Sequence, residues 1–266
     1  MNTLRHIILA ASLLFLAAGC ATTSAQTTDY KSQVEAAYAK AERAMERGDY
    51  VDAVARYNAI RSRYPYSQFA TLSELRLGDA YFEEEKFASA ISQYRNFIKL
   101  HPNHPKVIYA SYMVAEAFNG QMPGDWLLLP PSYERELASA RDAQREYEFF
   151  LKKYPDSEFT EDARRSLALV KRRLADHEMY VAQFYLKRDN PRATAMRLTY
   201  LLDNYSGVGL DAPALFLLAR AYLELKDTTR ARTALDDLVS NFPDTDLAQE
   251  AQNYLRRHPL TSAPSN

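Results

Sequence analysis

The chain has 266 residues, of which 47% are hydrophobic and 25% are charged, so it can bury a sizeable core. Its formal net charge of −1 argues against a nucleic-acid partner, because affinity for phosphates depends on clustered excess basic charge. Segments rich in Ala and Tyr, without runs of β-branched residues, predict an all-α protein.

The N-terminal segment has the pattern of a bacterial secretory signal. Arg5 gives a basic start, and residues 7–18 form an apolar stretch too short to span a bilayer as a stable helix. The stretch runs into the lipobox-like sequence Leu16-Ala17-Ala18-Gly19-Cys20, which contains the only cysteine. We therefore expect cleavage before Cys20 and attachment of acyl chains such as palmitate to it, which is how stable anchoring is achieved. The alternative is an ordinary cleaved signal that leaves a free thiol.

Composition divides the chain into flexible and ordered parts. Residues 1–19 are the predicted signal peptide, and residues 20–29 are small and polar, which predicts a lipidated flexible tether. Residues 259–266 predict a flexible tail. Between them we assign N-terminal repeats to residues 30–155 and C-terminal repeats with a capping helix to residues 156–258.

An internal repeat organises the ordered part. Apolar-periodic stretches end at a residue followed by proline in Tyr64-Pro65, His101-Pro102, Tyr154-Pro155 and Phe242-Pro243, while Tyr205-Ser206 takes the same place without proline. The residue before a proline is disfavoured in a helix, so these positions are predicted helix ends. The pattern indicates a tetratricopeptide-repeat superhelix of about five helix-turn-helix units.

The second repeat carries the clearest pattern, between Thr71 and Pro102. Small residues at Gly78 and Ala90 are expected to let its paired helices approach closely, with Tyr94 filling the space beside them. In the fourth repeat, an apolar stripe from Phe159 to Leu174 predicts an unusually long first helix.

An insertion near residues 119–137 distinguishes the third repeat. It contains Trp126, the only tryptophan, followed by three leucines. Either the insertion folds back to close the groove, or it presents Trp126 to a partner or the membrane surface. We favour folding back, because an exposed segment of this kind is prone to aggregate.

Function is expected on the groove, which the first helix of each repeat lines with the face not used for packing. Aromatic or apolar side chains alternate with carboxylates at these positions: Tyr38, Glu42, Leu75, Asp79, Phe82, Tyr109, Tyr112 and Glu116. Such a surface can bind an extended or hairpin-like peptide through aromatic contacts, with the acids fixing its orientation. The alternative is that these side chains pack on adjacent helices and the acids are merely solvated.

Motifs for chemistry are sparse. His101 and His104 flank a turn without a nearby Cys or carboxylate cluster, so we interpret them as turn residues rather than metal ligands. The sequence has no Gly-rich phosphate loop, no Gly-x-Ser-x-Gly turn and no His-Glu-x-x-His helix. We therefore predict a binding protein without enzymatic activity, cofactor or metal.

The lipobox, the Tyr-Pro punctuation, the insertion and the segment Glu178–Arg188, which reads Glu-x-x-Val-Ala-x-Phe-Tyr-x-x-Arg, resemble the BamD family, also called ComL or YfiO. The resemblance covers nearly the whole mature chain. It implies a lipid-anchored scaffold on the periplasmic face of the outer membrane, within the β-barrel assembly machinery. Its C-terminal repeats would bind the POTRA region of BamA, alongside other Bam lipoproteins, and its N-terminal repeats would bind unfolded β-barrel substrates.

The resemblance also singles out Arg197, which falls where family members carry an arginine that pairs with an acidic POTRA residue. The alternative for Arg197 is an intrachain salt bridge to Asp203, worth little at a surface. Two other classes of function stay open for the whole chain: a pilotin-like or Tol-Pal-associated lipoprotein, and an adaptor of a cell-wall hydrolase. Co-purification with BamA, or with a peptidoglycan enzyme, separates them.

Overall fold

The computed structural model describes residues 21–122 and 137–259, with side chains from residue 29 onward. Its regular structure there consists of eleven α-helices: α1 (Ala21–Glu46), α2 (Tyr50–Arg63), α3 (Gln68–Glu83), α4 (Phe87–Leu100), α5 (Val107–Gly120), α6 (Ala138–Lys153), α7 (Thr160–Leu186), α8 (Pro191–Tyr205), α9 (Asp211–Glu224), α10 (Thr228–Asn241) and α11 (Asp246–Arg257). The predicted all-α tetratricopeptide class is confirmed. Cys20 with the signal segment, Trp126 with most of the insertion, and the tail from residue 260 lie outside the described residues.

The chain forms two compact units, Met1–Ala110 and Ser111–Asn266, here called the first and second unit. The boundary between them falls inside α5, and the grouping of repeats on either side of residues 155 and 156 stays a prediction. Tyr154-Pro155 ends α6 within the second unit, so this punctuation marks the end of a repeat and not the end of a compact unit.

Helix ends lie where proline predicts them. Tyr64, His101, Tyr154 and Phe242 each follow the last residue of a helix, with φ between −128° and −134° and ψ between 48° and 60°. Their backbone N–H groups still donate to the carbonyl four residues earlier, at 2.8 to 3.0 Å. The chain therefore leaves the helix one residue before the proline, whose ring disfavours helical geometry at that position.

The turn after α8 lacks a proline and is built differently. The Asp211 carboxylate, only 5% exposed, accepts the backbone N–H of Gly207 at 3.1 and 3.0 Å and the hydroxyl of Ser206. Gly207 and Gly209 adopt φ of 84° and 85°, a region that glycine enters without steric cost. A buried carboxylate and two glycines thus take the place of the proline.

The two longest described helices differ in how well the sequence predicted them. The stripe runs from Phe159, which immediately precedes α7, to Leu174 within it, and α7 has 27 residues, so the prediction of an unusually long helix is confirmed. Residues 21–29, expected to be a flexible tether, form the start of the 26-residue α1. Their polar composition suggested flexibility, but they contain neither Gly nor Pro to stop a helix. No helix in the described parts of the chain has the length and apolar character needed to cross a bilayer.

The core of each helix pair combines small residues with large aromatic ones. Tyr57, Tyr94 and Tyr147, from the second helices of three pairs, are fully buried. Gly78 on α3 lies directly under the Tyr94 ring, and a Cβ atom at Gly78 would meet the ring carbon Cε1 at 2.5 Å. The close approach expected at Gly78 is therefore present.

Gly78→Ala should lower the free energy of unfolding by about 1 to 3 kcal/mol, the usual cost of overpacking a core. The sign is informative, because Gly→Ala within a helix otherwise stabilises by roughly 0.5 to 1 kcal/mol. Urea denaturation of the variant and the parent protein measures the difference. A more stable variant would show that the Tyr94 ring moves aside at no cost.

Candidate protein-binding site

The first acid of the predicted groove, Glu42, is held by side chains of the protein itself. The Tyr57 hydroxyl donates to Glu42 Oε1 at 2.5 Å. Arg76 on α3 donates from Nε to Oε1 at 3.0 Å and from Nη2 to Oε2 at 2.7 Å. This two-pronged arrangement fixes the direction of the guanidinium as well as its position.

The second acid, Asp79, is the centre of the same network. Its Oδ1 accepts the hydroxyls of Tyr94 at 2.7 Å and Tyr109 at 2.9 Å. Its Oδ2 accepts Arg76 Nη1 at 2.9 Å. Arg76 therefore bridges Glu42 and Asp79, and one connected set of hydrogen bonds joins α1, α2, α3, α4 and the start of α5.

Burial, hydrogen bonds and neighbouring charges shift the pKa values of several groups in this network. Burial disfavours the charge on Glu42, but hydrogen bonds from Arg76 and Tyr57 outweigh it and hold the pKa of Glu42 below its ordinary value of 4.5. Burial also opposes the charge on Arg76, yet its hydrogen bonds to Glu42 and the charge of Asp79 raise the Arg76 pKa. Burial, followed by the charge of Asp79, raises the pKa values of Tyr94 and Tyr109. At neutral pH Glu42 is thus charged and the two tyrosines are protonated.

The third acid, Glu116, lies in the second unit and has the same kind of partner. The Tyr147 hydroxyl donates to Glu116 Oε1 at 2.7 Å, and the Ser166 hydroxyl donates to the same atom at 3.1 Å. Tyr112 stacks on Phe159 with ring centres 5.0 Å apart. Burial, followed by a hydrogen bond to Glu116, raises the pKa of Tyr112.

Three tyrosine partners of the acids, Tyr57, Tyr94 and Tyr147, were not among the predicted site residues. A regular sequence signal marks them, because Tyr57 follows Glu42 by 15 residues and Tyr94 follows Asp79 by 15. Tyr147 follows Glu116 by 31 residues, since the insertion near residues 119–137 lies between them. An acid just after a small residue on the first helix, with Ala-x-x-x-Tyr on the second, is the pattern that identifies each pair.

These contacts correct part of the predicted groove. Leu75 and Asp79 are only 4% and 6% exposed, so they face the packing between helices and not the groove. The face of α3 was predicted from alternating residue types, which do not fix how the helix is rotated about its axis. The other predicted positions are half-buried, and binding by them stays a prediction: Tyr38, Glu42, Phe82, Tyr109, Tyr112 and Glu116.

Aromatic side chains, rather than acids, remain available on the first unit. Tyr38 contacts Phe69 with ring centres 5.1 Å apart, and Phe82 contacts Phe87 at 5.4 Å in an edge-to-face arrangement. Because Glu42 and Asp79 already accept several hydrogen bonds each, they do not offer free carboxylates to a basic ligand. A ligand on this face would therefore meet mainly aromatic surface.

The second candidate site surrounds Arg197 on α8. Arg197 Nη1 donates to Glu178 Oε2 on α7 at 3.1 Å. The Glu178 side chain is 4% exposed, whereas that of Arg197 is 45% exposed. Asp203, the intrachain partner that the sequence suggested, lies nearly two turns further along α8 and on another side of it, so it does not replace Glu178.

Exposed apolar side chains flank Arg197. Met196 is 67% exposed and Tyr200 is 44% exposed. The spacings of four and three residues make Tyr200 a surface neighbour of both Met196 and Arg197 on the helix. We call Met196, Arg197 and Tyr200 the α8 patch. Met196 and Tyr200 also border a cleft of about 720 Å³ whose far wall includes Tyr222 and Leu225. An exposed arginine beside exposed aromatic and apolar groups is typical of protein interfaces.

The two histidines flanking the turn after α4 bond locally. His101 Nε2 lies 2.7 Å from Glu74 Oε2. His104 Nδ1 accepts the backbone N–H of Lys106 at 3.1 Å, and burial, followed by the charges of His101 and Lys106, lowers the His104 pKa. Both side chains are thus engaged in holding the turn and the adjoining helices.

Comparison with known proteins places the chain. Residues 30–236 match the family model YfiO, described as an outer membrane lipoprotein. The chain belongs to the YfiO family. Among its relatives are proteins named outer membrane protein assembly factor BamD. That of Neisseria gonorrhoeae is 28% identical over 254 residues, covering 90% of this chain and 92% of the relative. That of Caulobacter vibrioides is 29% identical over 243 residues, covering 91% and 76%.

Solved structures similar to this YfiO-family chain include two tetratricopeptide-repeat proteins. The TPR2AB domain of yeast Sti1 has a TM-score of 0.43 and 11% identity, and the match covers 86% of each chain. A repeat protein from Parabacteroides merdae has a TM-score of 0.41 and 15% identity, with 86% and 87% covered.

Glu42→Gln should lower the free energy of unfolding at neutral pH by about 1 to 3 kcal/mol, because it removes charged hydrogen bonds to Arg76 and Tyr57. The lowered Glu42 pKa stabilises the fold above about pH 4.5, and this contribution is lost as the pH falls through the folded-state pKa. The variant should therefore lose less stability on acidification than the parent protein. Urea denaturation at a series of pH values tests this, with the exposed Glu46→Gln as control. Identical pH profiles for Glu42→Gln and the parent would contradict the network.

Proposed function

We propose that this chain is a non-catalytic assembly factor for outer-membrane proteins, working as a scaffold of the β-barrel assembly machinery. The observation that carries the proposal is membership of the YfiO family over residues 30–236. Relatives over most of the chain bear the name outer membrane protein assembly factor BamD, and this favours an assembly role over a pilotin-like, Tol-Pal-associated or hydrolase-adaptor role.

The membrane attachment in this proposal is a set of acyl chains on Cys20. The family description as an outer membrane lipoprotein supports it, together with the lipobox-like sequence before Cys20. More than one acyl chain gives lasting attachment to a bilayer. The repeats would then be held at the periplasmic face of the outer membrane.

The partner surface in this proposal is the α8 patch, which would bind the POTRA region of BamA. Met196 and Tyr200 offer apolar and aromatic surface, and Arg197 keeps nearly half of its side chain exposed. Aromatic and arginine side chains that become buried on binding carry most of the energy in many interfaces. An acidic residue on BamA would meet Arg197 between these two contacts.

The substrate surface in this proposal is the aromatic face of the first unit. Unfolded β-barrel proteins present alternating apolar side chains, which suit contacts with Tyr38 and Phe82. The acids beneath this face would support the helices that carry the aromatic side chains, as their bonds to Arg76 and the tyrosines suggest.

Phe82→Ala should weaken binding of peptides from β-barrel C-termini by about 1 to 3 kcal/mol, the range of an aromatic hot spot. Phe82 takes no part in the hydrogen-bond network, so the hydrogen bonds that join the first-unit helices persist in this variant. Fluorescence anisotropy of labelled peptides measures the affinity. Phe149→Ala is the matched control, because Phe149 is 52% exposed and lies on α6. Equal affinities for Phe82→Ala and the parent would remove Phe82 from the site.

The double variant Met196→Ala with Tyr200→Ala should reduce co-purification with BamA, with a loss of about 2 kcal/mol or more in affinity. Both side chains are well exposed, so truncating them leaves the core packed. The control is Leu169→Ala, a similarly exposed apolar residue (73%) on α7. Capture of a peptidoglycan hydrolase in place of BamA by the parent protein would overturn the assembly role in favour of an adaptor role.

A further inference from the structure

Glu178 is a buried acid that accepts a hydrogen bond from a residue of the proposed interface. It lies on α7 with 4% of its side chain exposed, and it accepts Arg197 Nη1 at 3.1 Å. A charged group removed from water is stable only when it is paired and hydrogen-bonded. The buried Glu178 carboxylate therefore favours side-chain conformations of Arg197 that keep its guanidinium close to α7.

The bond to Glu178 leaves other N–H donors of the Arg197 guanidinium available for a second hydrogen-bond acceptor. A guanidinium has five N–H donors in a rigid plane and no acceptor, and the bond to Glu178 uses Nη1. The Arg197 side chain is 45% exposed, between Met196 and Tyr200. Its remaining donors can therefore meet a second carboxylate while Nη1 stays on Glu178.

We propose that Glu178 is a positioning residue for the α8 patch: it holds the Arg197 guanidinium so that its outer edge donates to a carboxylate of the partner protein. This inference rests on the proposed function of the α8 patch. Glu178 itself is buried and does not touch the partner. Holding a long, flexible arginine in its bound geometry reduces the ordering that binding would otherwise require.

The pairing also decides which substitution at Arg197 is informative. Arg197→Glu would place a second acid against the buried Glu178 carboxylate, so it would disturb the fold and the interface together. Arg197→Ala removes the guanidinium without adding a charge. Glu178→Gln keeps the size of the side chain and a carbonyl acceptor for Arg197, but removes the negative charge that holds it.

The test is a double-mutant cycle on the full-length protein and full-length BamA, both in detergent micelles. Dissociation constants are measured by biolayer interferometry for the parent, Glu178→Gln, Arg197→Ala and the double variant. We expect each single variant to bind roughly 5- to 30-fold more weakly, an energy change of one to two kcal/mol. In the Arg197→Ala background, Glu178→Gln should change the affinity by less than about twofold, because Glu178 acts on binding only through Arg197. Two independent effects would instead add.

Three outcomes would overturn the inference. If Arg197→Ala weakens binding but Glu178→Gln does not, Glu178 has no positioning role and the proposed interface stands. If Glu178→Gln weakens binding equally in both backgrounds, it acts through the fold and not through Arg197. If Arg197→Ala binds as tightly as the parent, Arg197 is outside the interface, and both the proposed contact and the positioning role fail.

A conservative variant covers the case in which Glu178→Gln does not fold, as judged by its circular dichroism and thermal midpoint. Glu178→Asp keeps the charge but withdraws the carboxylate by one methylene from Arg197. It should weaken BamA binding in the parent background and not in the Arg197→Ala background. Unchanged binding by a folded Glu178→Asp variant would count against positioning by this carboxylate.

Discussion

A tyrosine hydroxyl that donates to a carboxylate on the paired helix is the contact on which the first three repeats depend. It recurs as Tyr57 to Glu42, Tyr94 to Asp79 and Tyr147 to Glu116. A half-buried or buried acid left without its donor costs far more than the bond itself contributes. Because Arg76 also joins the first two acids, the helices of the first unit share one polar network, and the aromatic face above it inherits a fixed geometry.

The last two repeats are built on a different principle. The residues after the small positions of their first helices are Gln183 and Arg220, and the places of the buried tyrosines are taken by Leu198 and Leu235. Both leucines are buried, so apolar packing replaces the hydrogen bond. The charged pair of the fourth repeat, Glu178 with Arg197, sits at the edge of the helix pair, where one partner reaches solvent. Polar side chains thus tie the early repeats internally, whereas the charged pair of the fourth repeat reaches solvent through Arg197.

Helix ends and one close helix contact could be predicted from the sequence, because they depend on local geometry. The burial of individual side chains could not, because it depends on how each helix is rotated about its axis. Proline constrains the residue before it, so the ends at Tyr64 and Tyr154 followed directly. Gly78 signalled a close approach because little else explains glycine inside a helix. The burial of Asp79 depends on how α3 is turned against its neighbours, which a mixture of aromatic and acidic residues does not specify. The partner of Arg197 lies 19 residues away on another helix, beyond the reach of a surface-charge argument.

The turn after α8 has a consequence for how the chain tolerates change. At the turns after α2, α4, α6 and α10 a proline ring fixes the φ angle of one residue, and this constraint does not depend on the neighbouring side chains. After Tyr205 the same task falls to the single carboxylate of Asp211, assisted by two glycines with positive φ. The turn that joins α8, which carries the α8 patch, to α9 therefore depends on Gly207, Gly209 and Asp211 together. A substitution at any one of the three would remove part of what fixes the turn.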